Sequence, residues 1–82
     1  MTRFLVEAYA PASVEIAELE ARARRAADDL ADGGTDVRYV HAIFVAEDEL
    51  CLHLLDAGSL EAANDLVRRA GISPDRIVEA AP

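Results

Sequence analysis

Apolar and polar residues alternate one by one from Arg3 to Tyr9: Phe4, Val6 and Ala8 fall on one side, Leu5, Glu7 and Tyr9 on the other. A period of two is that of a strand, and Pro11 ends it. The period then lengthens. Ile16, Leu19, Ala23, Ala26, Ala27 and Leu30 recur at steps of three and four, the apolar stripe of an amphipathic helix. Ser13 is its expected N-cap, Glu15 suits the first turn, and Gly33-Gly34 stops it. Strand patterning returns over Val37 to Val45 and Leu50 to Asp56. The connection between them, Ala46-Glu47-Asp48-Glu49, is too short for a crossover, so the pair is predicted to be an antiparallel hairpin. A second helix follows Ser59 as N-cap, with Leu60, Ala63, Leu66, Val67 and Ala70 on its apolar face. Arg68 and Arg69 suit its last turn, Gly71 closes it, and Pro74 prevents continuation. Arg76 to Ala80 reads as a last short strand.

The resulting order, β-α-β-β-α-β, predicts a single α+β domain over residues 1–82 with a ferredoxin-like fold. The expected sheet has four antiparallel strands in the order 4-1-3-2, with both helices on one face. Its central hairpin is apolar on both sides. Leu50, Leu52 and Leu54 make one row of the third strand and Cys51, His53 and Leu55 the other. On the second strand, regular alternation puts Val40, Ala42 and Phe44 together, opposite Tyr39, Ile43 and Val45. A sheet with one face in water alternates apolar and polar more cleanly. Two helices cover one face only, so the second face needs a cover of its own. A second copy of the chain is the simplest one, and a homodimer through the sheet face is the expected assembly.

Composition narrows the partners. Sixteen acidic residues against eight basic ones leave a net charge of −8. That disfavours nucleic acid, whose binding needs clustered Lys and Arg, and it disfavours anionic membrane surfaces. The lone cysteine cannot form an internal disulfide, which fits the cytoplasm. The opening MTRFLVEAYAPAS lacks the pattern of a signal peptide, and no apolar run approaches the roughly 20 residues of a membrane span. On the first helix, Glu18 with Arg22 and Glu20 with Arg24 are spaced as favourable ion pairs on a solvated face.

Cys51-Leu52-His53 is the sharpest candidate for chemistry. Residues two apart on a strand project to the same face, and thiolate with imidazole suits nickel, zinc, cobalt or copper better than magnesium or calcium. The expected strand order brings Glu7 and Tyr9 of the first strand near this pair. His41 joins it only in one hairpin register. With Glu47-Asp48 as a two-residue turn, Phe44 stands opposite Cys51 and His41 faces away from His53; a three-residue turn reverses the parity. The metal candidates are therefore Cys51, His53, His41 and Glu7. Against them stands the ordinary role of a buried cysteine or histidine as a packed core residue. A Cys-His nucleophile pair would need a third orienting group and an oxyanion hole, and neither has a sequence signature. Acid–base chemistry in an interface pocket, pairing a histidine with Glu7 or Glu79, is a third option. A small-molecule pocket at the sheet face, touching Tyr9 and Glu79, is the alternative site. The acidic turn Glu47-Asp48-Glu49 reads as solvated, and no glycine-rich phosphate loop is present.

A family pattern runs through the same residues. Arg3-Phe4-Leu5-Val6-Glu7 with Tyr9, Arg38-Tyr39-Val40, Phe44-Val45, Glu47-Asp48-Glu49 and Cys51 carry its first part. Ala57-Gly58-Ser59, Glu61-Ala62, Arg69-Ala70-Gly71 and Asp75 to Ala80 carry the rest. The chain resembles a family of small bacterial ferredoxin-like domains whose members are often labelled nickel-binding proteins. The resemblance implies a dimer and a divalent transition metal, nickel first, and a binder more than an enzyme. Ala46 stands where the family pattern has Pro, and His53 where it often has a second Cys. Cys-x-His still keeps two borderline-soft ligands on one face.

Overall fold

Four strands and two helices form in the order read from the periodicity. The computed structural model describes residues 1–80. Strand β1 spans Thr2–Tyr9, helix α1 Ile16–Asp32, β2 Val37–Val45, β3 Leu50–Ala57, α2 Leu60–Arg69 and β4 Pro74–Glu79. The strands make one antiparallel sheet, β2-β3-β1-β4. This is the α+β ferredoxin-like arrangement, with the expected order.

The core lies between the sheet and the helices. Phe4, Val6 and Ala8 of β1, Val37 and Tyr39 of β2, and Leu55 and Ala57 of β3 meet Ala23, Ala26 and Ala27 of α1 and Ala62, Ala63, Leu66 and Val67 of α2. Alanine dominates the helix side, so both helices can sit close to the strands. α1 lies over β2 and packs beside α2.

The helix starts differ. Ser59 caps α2 as expected, its Oγ accepting from the Ala62 N–H at 3.1 Å. Ser13 does not cap α1: the helix begins two residues later, with Glu15 in the cap position and no side-chain cap bond. Pro11 is the reason, because its carbonyl accepts from the Val14 N–H and holds Ser13 in a turn. Gly34 and Gly71 take positive φ after the two helices, at 97° and 75°, which a side chain would resist.

The hairpin turn is a single 3-10 turn, Ala46–Asp48, followed by Glu49 in the left-handed region at φ 48°. A glycine usually occupies such a position; here glutamate does. Val45 stands opposite Leu50 and Phe44 opposite Cys51, the parity of the even turn. Further along, the register slips between Tyr39 and His41, where a bulge leaves Val40 without a partner. A bulge re-aims the residues on one side of it. Tyr39 therefore stands opposite Leu55 instead of Asp56 and faces the core with Ala42. The regular alternation expected for β2, which grouped Tyr39 with Ile43 and Val45, is broken here.

Candidate functional site

The sheet divides the chemistry-bearing residues into two groups. β3 alternates from Leu50 to Leu55: Cys51, His53 and Leu55, with Ala57 beyond them, are buried towards the helices, and Leu50, Leu52 and Leu54 lie half-exposed on the other side. Glu7 stands opposite Leu52 and His41 opposite Leu54, so both belong to the open face. The four residues expected to share a metal do not converge. Residues directly opposite in register share a face, so Glu7 and His41 lie with Leu52 and Leu54, on the side away from Cys51 and His53. Among the described residues, no three His, Cys, Asp or Glu side chains gather at metal-binding distance. Glu7 instead lies 3.6 Å from the Arg76 guanidinium.

The core-side group has its own order. His53 is fully buried, and its Nδ1 lies 2.7 Å from the Tyr39 hydroxyl. The two rings are tilted, with centroids 5.9 Å apart. Arg24 of α1 holds Tyr39 from behind. Its guanidinium lies 5.4 Å from the phenol ring and donates to the Tyr39 and Val40 carbonyls, at 3.4 and 2.9 Å. Glu20, one helical turn earlier, accepts from the Ala42 N–H at 3.2 Å. The bulge thus exposes backbone groups that two α1 side chains satisfy, and the same contacts fix the tyrosine that orients the histidine. Sequence reading placed Glu20 and Arg24 on a solvated face and gave Tyr39 no role. The single available signal was their spacing of four, which is formed here at 3.7 Å.

The far nitrogen of His53, Nε2, is buried and has no hydrogen-bond partner. Such a group costs about 1–3 kcal/mol in an interior, so it stands out. Burial pushes the imidazole towards its neutral form, opposed by the charge of Glu20. Burial first and Glu20 second push the Cys51 thiol up, favouring the protonated form. Burial likewise raises the Tyr39 phenol. All three groups are neutral at pH 7. A buried thiol of raised pKa is a poor nucleophile, so the Cys-His catalytic option has no activated sulfur.

Cys51 and His53 underlie a cleft of about 390 Å³ between the β1 end of the sheet, the start of α1 and the α2–β4 connection. Its walls include Val14, Leu19 and Ile72, and its rim Tyr9, Arg22 and Asp75. Neither Cys51 nor His53 is exposed to water; Ala10, Pro11 and Val14 line the same cleft. Tyr9 is at this end of the sheet, its N–H donating to Asp75 and its hydroxyl to Glu49. Glu79 is at the other end, opposite Phe4, beside a wider cleft of about 900 Å³ lined by Arg3, Arg38 and Asp56. The alternative pocket pairing Tyr9 with Glu79 is therefore divided along the length of β1.

In that wider cleft Asp56 is shared by two arginines. Arg3 donates through Nε and Nη2 at 2.8 and 3.1 Å, and Arg38 Nη2 donates to Oδ2 at 2.5 Å. The Arg3 hydrogen bond, with Arg38 behind it, brings the carboxyl down to about 2.

A family model described as "Nickel responsive protein SCO4226-like" matches residues 4–80. The chain belongs to this family. It is also similar to a solved structure, "Crystal structure analysis of SCO4226 from Streptomyces coelicolor A3(2)". That likeness has a TM-score of 0.75 at 20% sequence identity, and it covers 98% of this chain and 96% of the other. At that identity it shows the shared fold. No curated protein matches the chain. The family match spans both faces of the sheet, so it does not choose between the residues of the cleft and those of the open face. No described helix is long and apolar enough to cross a membrane.

Proposed function

We propose that this protein binds a divalent transition metal, nickel by its family, as a homodimer, with Cys51 and His53 as the protein ligands. The observation that carries the reading is the buried, unpartnered His53 Nε2, with the buried Cys51 two residues away on the same face of β3. The pair fits the donor chemistry of nickel, which imidazole and thiolate suit. Tyr39 fits it further. Metal-bound histidines keep their second ring nitrogen hydrogen-bonded, which sets tautomer and orientation. With Nδ1–H donating to the Tyr39 oxygen, Nε2 presents its lone pair. The Cys51 proton leaves to solvent on coordination, as metal–thiolate bonding requires. Because both donors are buried, loading requires a local opening of the fold, and metal uptake is expected to be slow relative to diffusion.

The homodimer rests on the open face. Leu5, Ile43, Leu50, Leu52, Leu54 and Val78 form a contiguous apolar surface there, larger than scattered surface residues account for. Glu7 and His41 stand on the same surface, so pairing across a twofold axis would bring two copies of each to the interface.

The test is calorimetric titration of tag-free protein with nickel chloride in a non-coordinating buffer. Cys51→Ala and His53→Ala are each expected to weaken binding at least about tenfold, a change of about 1.4 kcal/mol. His41→Ala is expected to leave it unchanged. Binding that survives both core substitutions and disappears with His41→Ala or Glu7→Gln would move the metal to the sheet interface and sink this assignment.

A further inference from the structure

The open face of the sheet has two unlike ends. At one end Arg3, Asp56 and Arg38 stand in register across β1, β3 and β2. Asp56 follows Leu54 by two residues, so this row extends the face that carries Leu50, Leu52 and Leu54. Asp56 is buried, whereas the Arg3 and Arg38 side chains are 44% and 66% exposed. Asp36 lies at the same end, packed over Gly58. Two arginines against two aspartates leave this end neutral, with both guanidiniums accessible. Glu79 stands opposite the core residue Phe4 and so belongs to the helix side.

The other end is acidic. The turn from β2 to β3 carries Glu47, Asp48 and Glu49, all exposed. None of the three is in an ion pair among the described residues. Glu49 accepts from the Tyr9 hydroxyl at 3.3 Å, and Tyr9 stands opposite Leu50, so this charge reaches the open face. Asp75 lies on the helix-side cleft rim together with Arg22, where the two charges balance. Between the ends, Glu7 and Arg76 stand in register and lie 3.6 Å apart, a neutral pair.

Two sheets in aligned face-to-face packing keep their strands within about 30° of each other. A twofold pair can meet this condition in two ways. With the axis along the strands, both acidic turns fall at one end and six carboxylates gather there. With the axis across the strands, each acidic turn meets the arginine-bearing end of the other copy. Like charges brought together at an interface oppose the first arrangement, and complementary charges favour the second. The Leu52 and Leu54 rows lie midway along the face and close on each other in the second.

We propose that two copies pair open face to open face with their strands reversed, the Arg3 and Arg38 end of each against the acidic turn of the other. This rests on the homodimer reading above and adds its orientation. The occupant of the face is a second copy because each end supplies what the opposite end lacks: exposed guanidiniums at one, unpaired carboxylates at the other.

Two measurements on the full chain test it, after sedimentation velocity has established the dimer. The first is the distance between spin labels at Glu47→Cys, an exposed position; Cys51 is buried and leaves the label to the turn. β3 has 8 residues, so the reversed pair separates the two turns by about 26 Å, at roughly 3.3 Å per residue. The same-end pair brings them within about 15 Å, since packed sheets lie about 10 Å apart. The second uses the absence of lysine from the chain. Arg38→Lys keeps the charge and adds an amine that a carbodiimide joins to a neighbouring carboxylate. The expected product is a covalent dimer joined to Glu47, Asp48 or Glu49 of the other copy, located by mass spectrometry of its peptides. That product is expected to be lost when the turn also carries Glu47→Gln, Asp48→Asn and Glu49→Gln. A label separation under about 20 Å, or a covalent dimer joined through Asp36, would overturn the reversed orientation and leave the homodimer standing. A dimer that survives Leu52→Asp would overturn the use of the open face. A wild type that sediments as a monomer would overturn the homodimer and this inference with it.

Discussion

His53 and Asp56 lie three residues apart on β3 and show two ways of burying a polar side chain. His53 is neutral and half satisfied. Its one recorded partner is the Tyr39 hydroxyl, so Tyr39→Phe leaves both ring nitrogens unpaired in the core. That substitution is expected to cost about 1–3 kcal/mol, read as a lower urea midpoint at unchanged slope. In the metal reading it also weakens nickel binding by releasing the imidazole orientation. Asp56 is ionised and paired, with two arginines on one carboxylate. Its pKa in the folded state, about 2, lies below the roughly 3.9 of an unfolded aspartate. The unfolded chain therefore binds the proton first. The stabilisation is fully present above about pH 4 and is lost as the pH falls towards 2. Asp56→Asn is expected to lower stability at pH 7 and to flatten the profile between about pH 4 and 2, measured by urea denaturation at several pH values.

The elements were legible from periodicity because each buries one face, and burial imposes a period of 2 or 3.6. Their ends were less legible, since caps depend on a few hydrogen bonds. Ser13 and Ser59 look alike in sequence, yet Ser59 alone bonds a helix N–H. Ser59→Ala is expected to cost about 1 kcal/mol, and Ser13→Ala to stay within about 0.5 kcal/mol of neutral. Thermal denaturation of the two variants checks both. Edge strand β2 shows a further device. Glu20 takes the Ala42 N–H, and Arg24 takes the carbonyls of Tyr39 and Val40. Side chains from α1 thereby occupy backbone groups that an added strand would use. Strand addition along this stretch of edge is thereby disfavoured.

At the scale of the molecule, the sheet has one face filled by helices and one apolar face without a layer of its own. The homodimer proposal makes a plain prediction. Leu52→Asp, at the centre of the open face, is expected to convert a dimer into a folded monomer, because Leu52 makes no part of the core between sheet and helices. Sedimentation velocity at micromolar concentrations, with circular dichroism for the fold, reads both. A wild type that sediments as a monomer would remove the proposal.

From its sequence alone, this chain is a β-α-β-β-α-β domain with a two-sided apolar hairpin and Cys51 and His53 on one strand face. Those features follow from the spacing of apolar residues, which the hydrophobic effect reads directly. The sequence left open whether His41 shares that face. The even hairpin turn decides that it does not, with Glu49 taking a left-handed conformation that the sequence does not mark with a glycine. The bulge beside Val40 turns Tyr39 under the sheet to meet His53. It is stabilised by Glu20 and Arg24 of α1, contacts between residues distant in the chain. Local pattern sets which way a side chain points along a regular strand; where that strand slips by one residue, only packing against a neighbouring element determines the answer.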